Sequence, residues 1–128
     1  MFKLSDKSKE RLIGVDSRII EIINKALTIT KIDFGIPEFA GLRTAEDQKK
    51  LFNRGLSKAD GYKNKSYHQT GKAFDIYAYV DGKASWDKLH LTTVATAILQ
   101  AANILGYKLK WGGLWKNFTD LPHFQIED

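Results

Sequence analysis

The nine residues Lys72 to Val80, KAFDIYAYV, limit what this chain can fold into more than any other segment. Apolar, β-branched and aromatic side chains fall on both faces of the run, which predicts a central strand covered on each side. Asp81-Gly82 follows as a turn signal. Inside the run stands Asp75, a carboxylate set among Phe74, Ile76, Tyr77 and Ala78. Burying it is costly unless a cation pairs with it, and a metal ion is the strongest such partner. Backbone N–H groups or a nearby lysine are the plainer alternative.

The flanking segments set the class of fold. Between Asp6 and Thr30, apolar residues at Leu12, Val15, Ile19, Ile22, Ile23, Ala26 and Leu27 keep the spacing of one helical face, which predicts one long amphipathic helix. Phe34, Ile36 and Phe39, interrupted by Gly35 and Pro37, predict a short extended segment before Gly41. Thr44 with Glu46 and Asp47 predicts a capped short helix to about Asn53. The polar stretch from Leu56 to Ser66 predicts an exposed loop beside a cleft. Trp86 to Leu105 predicts a second long helix stopped by Gly106, and Tyr107 to Trp111 and His123 to Ile126 predict further strands. The order gives an α+β domain, a small antiparallel sheet flanked by helices.

A chain of 128 residues, 43% of them hydrophobic, has enough material for one core, so residues 1–128 are expected to form one domain with no second module. With no cysteine, disulfides, thiolate ligands and a cysteine nucleophile are all excluded, and any metal must be held by His, Asp or Glu. The first residues lack the apolar run of a signal peptide, and no stretch approaches the roughly 18 apolar residues that span a bilayer. A soluble protein without a Sec-type signal or membrane insertion is therefore expected. A net charge of +5 would attract polyanions of any kind, nucleic acid and anionic envelope polymers alike, and does not choose among them, but the basic residues are scattered and carry no nucleic-acid-binding motif.

Chemistry gathers in two places. His68 and Asp75 lie seven residues apart with Gly71 at the bend. Near the C-terminus, Pro122 forbids a regular helix and biases Leu121 toward extended backbone, so His123 should open a strand with Gln125 on its own face. Two histidines and one aspartate make a three-ligand set that leaves a fourth zinc position for water, the arrangement of catalytic zinc sites. Asp120, three residues before His123, is the candidate to take a proton from that water. Each histidine alone would more often be structural. His90, in the second long helix, is read as structural or exposed.

Ser66-x-His68-x-x-Gly71-x-Ala73-x-Asp75, followed by Asp120-x-x-His123, resembles the zinc D,D-carboxypeptidase and L-alanyl-D-glutamate peptidase family (VanY-like peptidases), which includes phage endolysins. Gly41-Leu42-Arg43-Thr44 with Gln48 resembles the family's Gly-x-Arg-Ser/Thr-x-x-x-Gln segment, and Trp111-Gly112-Gly113 with Trp115 its Trp-Gly-Gly-Asp-Trp connection, where Leu114 replaces the Asp. The resemblance runs from about residue 33 to the C-terminus. It implies a Hedgehog/D,D-peptidase-like zinc peptidase fold. It also implies zinc on His68, Asp75 and His123, Asp120 as general base, and Arg43 facing the substrate, where its planar fork suits a carboxylate or oxyanion. Gln48 and Ser66 are read as orienting or substrate-contacting groups, and Trp111 and Trp115 as cleft walls that could meet the substrate.

The expected partner is the peptidoglycan stem peptide and the expected state a monomer. The expected bond is L-alanyl-D-glutamate, with terminal D-alanyl-D-alanine trimming or a non-catalytic wall-binding domain as alternatives. An endolysin of this kind would wait in the host cytoplasm until admitted to the wall or periplasm.

Overall fold

The computed structural model describes all 128 residues. Two helices occupy the N-terminal region, α1 (Asp6–Arg11) and α2 (Ser17–Ile29), where the apolar spacing predicted one. The spacing runs unbroken through the gap, but Gly14 takes φ of 89°, a left-handed conformation that no continuous helix admits. Asp16 then restarts the helix, its side chain accepting the Arg18 N–H at 2.9 Å. The Asp16 N–H in turn donates to the Gly71 carbonyl, tying this break to the bend beside His68.

After β1 (Asp33–Gly35) comes α3 (Ala45–Asn53), capped by Thr44 as its residues predict. The central run is not one strand. It divides into β2 (Ala73–Asp75) and β3 (Tyr77–Val80), and β4 (Lys83–Ser85) follows the Asp81-Gly82 turn. At Ile76 the chain changes partners: β3 lies between β1 and β4 in one sheet, whereas β2 pairs with β6 (His123–Ile126), which also pairs with β5 (Leu109–Trp111) in the other. All four pairings are antiparallel. Residue type could not show the division, because both halves are equally apolar. The Ile76 N–H donates to the Pro122 carbonyl, and the Asp75 N–H to Ala40.

The long helix α4 (Lys88–Leu105) starts two residues after Trp86, capped by Asp87, and ends at Gly106. It packs against α2, and between them and the sheets lie Ile19, Ile22, Ile23, Ile76, Leu91, Ile98, Phe74 and Phe124, all essentially inaccessible to solvent. Each such side chain contributes about 1.5–3 kcal/mol relative to its exposed state. This apolar mass fixes β2 and β6, the two strands whose ends carry Asp75 and His123.

Candidate metal centre and its cleft

Antiparallel pairing sets Asp75, the last residue of β2, directly opposite His123, the first residue of β6. One register step inward, Phe74 faces Phe124 with ring centroids 5.1 Å apart, and a single-residue slip would move the acid and the imidazole away from each other. His68 arrives from a different kind of element, the 3₁₀ turn Tyr67–Thr70. Ser66 caps that turn by accepting the His68 N–H, while Gln69 accepts the N–H of Ser66. Ser66 thus both orients His68 and lines the cleft described below.

The three side chains converge. Asp75 Oδ1 lies 2.9 Å from His123 Nδ1 and 3.4 Å from His68 Nε2, and the two ring nitrogens are 3.3 Å apart. The partners of the two outward ring nitrogens set the tautomers. His68 Nδ1 lies 2.9 Å from the Gly41 carbonyl, which can only accept, so that nitrogen bears the hydrogen. Gln125 Nε2 donates to the Glu127 carboxylate at 2.8 Å, which turns the amide oxygen toward His123 Nε2, also at 2.8 Å. That nitrogen must therefore be N–H as well.

With both outer nitrogens committed as donors, the inner nitrogens of the neutral rings and Asp75 Oδ1 are three lone-pair donors aimed at one point. Three acceptors in mutual contact repel unless a cation lies among them. Tetrahedral bonds of about 2.1 Å hold neighbouring donors roughly 3.4 Å apart, close to the spacings seen here. The donor set fits a divalent ion with imidazole and carboxylate preference.

Electrostatics agree with that geometry. Burial would raise the Asp75 carboxyl, but its contacts with the two imidazoles, His123 before His68, outweigh it and hold the group well below the usual carboxylate range. Burial would likewise lower His123, and its bond to Asp75 instead draws it up, a proton doing in part what a metal would do. Arg43 lies beside this centre, its Nη2 3.4 Å from Asp75 Oδ2. Burial lowers the Arg43 guanidinium from its ordinary value, opposed by the charges of Asp75 and Asp120.

A cleft of about 370 Å³ opens over the three donors. Its floor holds His68, Asp75 and His123, and Arg43, Asp120 and Trp115 also line it. Asp120 is held by mutual backbone bonds: its N–H donates to the Gly112 carbonyl and its carbonyl accepts from the His123 N–H. A side chain on Gly112 would strike the Asp120 carbonyl, so only glycine permits this approach. Burial and then the nearby Asp75 charge push the Asp120 carboxyl above the ordinary aspartate value. Trp115 sits with its ring centroid 5.3 Å from that of His123.

Trp111, read as a cleft wall, and Gln48, read as an orienting or substrate-contacting group, both lie behind the cleft. Trp111 stacks on Phe124 and its indole N–H donates to the Leu121 carbonyl, bracing the segment that precedes His123. Gln48 is fully buried, its Oε1 accepting from Arg43 Nη1 and its Nε2 donating to Ser57 Oγ and the Ala59 carbonyl. It holds the arginine and does not reach the open space. Gln125 was not singled out as a site residue from sequence, although its position two residues from His123 on one strand face was the available signal. Leu114 is 72% exposed and outside the cleft, and His90 lies in α4, bonded to Ser85.

An open three-donor centre at the floor of a peptide-sized cleft is the kind that metal-dependent hydrolases use. The model of the phage L-alanyl-D-glutamate peptidase family matches residues 1–126, and the chain belongs to that family. It is 32% identical over 120 residues to the L-alanyl-D-glutamate peptidase of Escherichia phage T5, a match covering 93% of this chain and 85% of that protein. The peptidoglycan L-alanyl-D-glutamate endopeptidase CwlK of Bacillus subtilis (strain 168) is 30% identical over 106 residues, 74% of this chain and 61% of CwlK. Among solved structures, the L-Ala D-Glu endopeptidase ChiX of Serratia marcescens superposes with a TM-score of 0.85 at 32% identity, covering 98% of this chain and 90% of ChiX. The mixed helix and antiparallel-sheet architecture is thus that of the peptidase fold the sequence motifs imply.

Proposed function

We propose that the chain is a zinc-dependent peptidoglycan peptidase that hydrolyses the L-alanyl-D-glutamyl bond of the stem peptide, acting as a single-domain monomer. The observation that carries this reading is the convergence of His68 Nε2, Asp75 Oδ1 and His123 Nδ1, with both outward ring nitrogens committed as donors. Zinc bound by these three groups would supply Lewis acidity and lower the pKa of water. The names of the T5, Bacillus and Serratia relatives support the choice of bond.

The chain's own residues supply the rest. Asp120 borders the same space, and its upward-shifted carboxyl suits a group that takes a proton from the attacking water and returns it to the leaving amine. Arg43, held by Gln48 and the Phe39 carbonyl, offers a fixed guanidinium to the scissile carbonyl oxygen as negative charge develops there. Trp115 walls the cleft and limits water around the reacting atoms. No helix is long and apolar enough to cross a membrane. Membership of a phage family supports storage in the host cytoplasm until the enzyme is admitted to the wall.

The test is mass spectrometry of purified peptidoglycan after digestion by zinc-loaded and chelator-treated protein. Peptides beginning with D-glutamate, released only by the zinc-loaded form, are expected. Released D-alanine would reassign the enzyme as a carboxypeptidase, and equal lysis by both forms would overturn the metal mechanism.

A further inference from the structure

Around the cleft, cations outnumber acids. Its lining holds Arg43, Lys58 and Lys65 against Asp75 and Asp120. Arg43 is paired with Asp75, and both carboxylates already have roles at the candidate centre, whereas neither lysine has a carboxylate partner. A divalent ion on the floor would enlarge the positive excess. Lys58, an exposed side chain, has its Nζ 4.5 Å from the centroid of the Phe118 ring, which borders the same cleft from the opposite loop. Lys65 directly precedes Ser66, the cap of the turn that carries His68, so its Cα position is set by the same hydrogen bonds that set the imidazole.

A cleft that presents unpaired ammonium groups beside a hydrolytic floor is built for a substrate with negative charge close to the scissile bond. D-glutamate brings that charge. Of its two carboxyl groups one carries the remainder of the peptide, and the other, unless amidated, is ionised at neutral pH and a few bonds from the nitrogen being released.

We propose that Lys58 and Lys65 form a carboxylate-binding rim that holds this free D-glutamyl carboxylate and makes the enzyme discriminate against stem peptides carrying a carboxamide there. The inference rests on the peptidase reading above and names the feature of the substrate that the cleft selects. Phe118 acts as the positioning surface for Lys58.

Two soluble stem peptides that differ only in carboxylate or carboxamide on the D-glutamyl residue provide the experiment, with kcat/KM measured for the zinc-loaded full chain and for K58M/K65M. Exposed lysine–carboxylate pairs are worth a few-fold each, so the wild-type protein should prefer the carboxylate peptide by roughly tenfold, mostly through KM. In the double variant that ratio should fall toward one, with circular dichroism unchanged. Calorimetric binding of both peptides to zinc-loaded Asp120→Asn protein, with and without the lysine changes, reads the same preference without turnover. A preference that survives the loss of both lysines, or no preference in the wild type, overturns the rim. Carboxylate-dependent binding with no cleavage of either peptide by the wild type would retain the rim and overturn the peptidase reading.

Discussion

The two three-stranded sheets are built from strands of the same length and the same antiparallel pairing, yet only one carries chemistry. In the sheet of β1, β3 and β4, the buried cross-strand neighbours Phe34 and Ala78 place no charged group in the interior. In the sheet of β2, β6 and β5, an aspartate and a histidine face each other at the strand ends, immediately next to a stacked pair of phenylalanines. A short strand accepts a buried charge when its cross-strand neighbour shares that charge and the next residue anchors the register. The first sheet supplies mass; the second supplies position.

Breaking the second sheet at its polar end should have the largest effect. His123→Ala removes one of three donors and leaves Asp75 half-buried beside a single imidazole. Zinc binding and wall lysis should both disappear, while Tyr79→Ala on an exposed position of the first sheet should change lysis less than about twofold. Metal analysis and turbidity loss of wall suspensions check both, and zinc retained at wild-type affinity in His123→Ala would refute the assigned centre. Asp120→Ala should next reduce lysis by roughly 10²–10⁴-fold with zinc content unchanged.

At the apolar end, Phe74→Ala should destabilise the fold by about 3–5 kcal/mol in urea titration. Its stacked partner Phe124 adjoins His123, so zinc affinity should fall as well. Gln125→Leu leaves the His123 Nε2–H without its acceptor and frees the ring to reorient. Zinc affinity should weaken by about 10- to 100-fold, measured by competition with a chelator, with little change in folding.

The smallest effect concerns the end of β6. Arg18 and Lys72 both donate to Asp128 and hold its carboxyl at about 2, below the ordinary 3.8. A depressed folded value means that the contribution is present above the unfolded pKa and lost as pH falls through the folded one. Asp128→Asn should therefore melt slightly lower than wild type at pH 6, the gap closing between about pH 4 and pH 2 and shrinking in salt. Melting curves that stay parallel down to pH 2 would show that the ion cluster does not couple to folding.

The candidate centre was legible as a set and not residue by residue: an aspartate inside KAFDIYAYV and a histidine after Pro122 each have ordinary structural uses, and point to a metal only when read together with His68 and the motif spacing. That they meet was not legible, since it depends on β2 leaving the run at Ile76 to pair with a strand about 50 residues downstream. Helix α2 and helix α4 were readable from spacing, but the break at Gly14 was masked by apolar residues that keep their period across it. Gln48 and Trp111 carried motif positions without any sign of which way they point. Only packing shows that one grips Arg43 and the other braces Leu121.

Residue 68 is joined to the segment before α3 twice, through its ring to the Gly41 carbonyl and through its carbonyl to the Arg43 N–H. The backbone of Arg43 and the imidazole of residue 68 are thereby tied to one another across the cleft edge. Deuterium should enter the Arg43 amide only during openings that dismantle the catalytic floor itself, which makes that one amide a clock for how often the enzyme is momentarily incompetent.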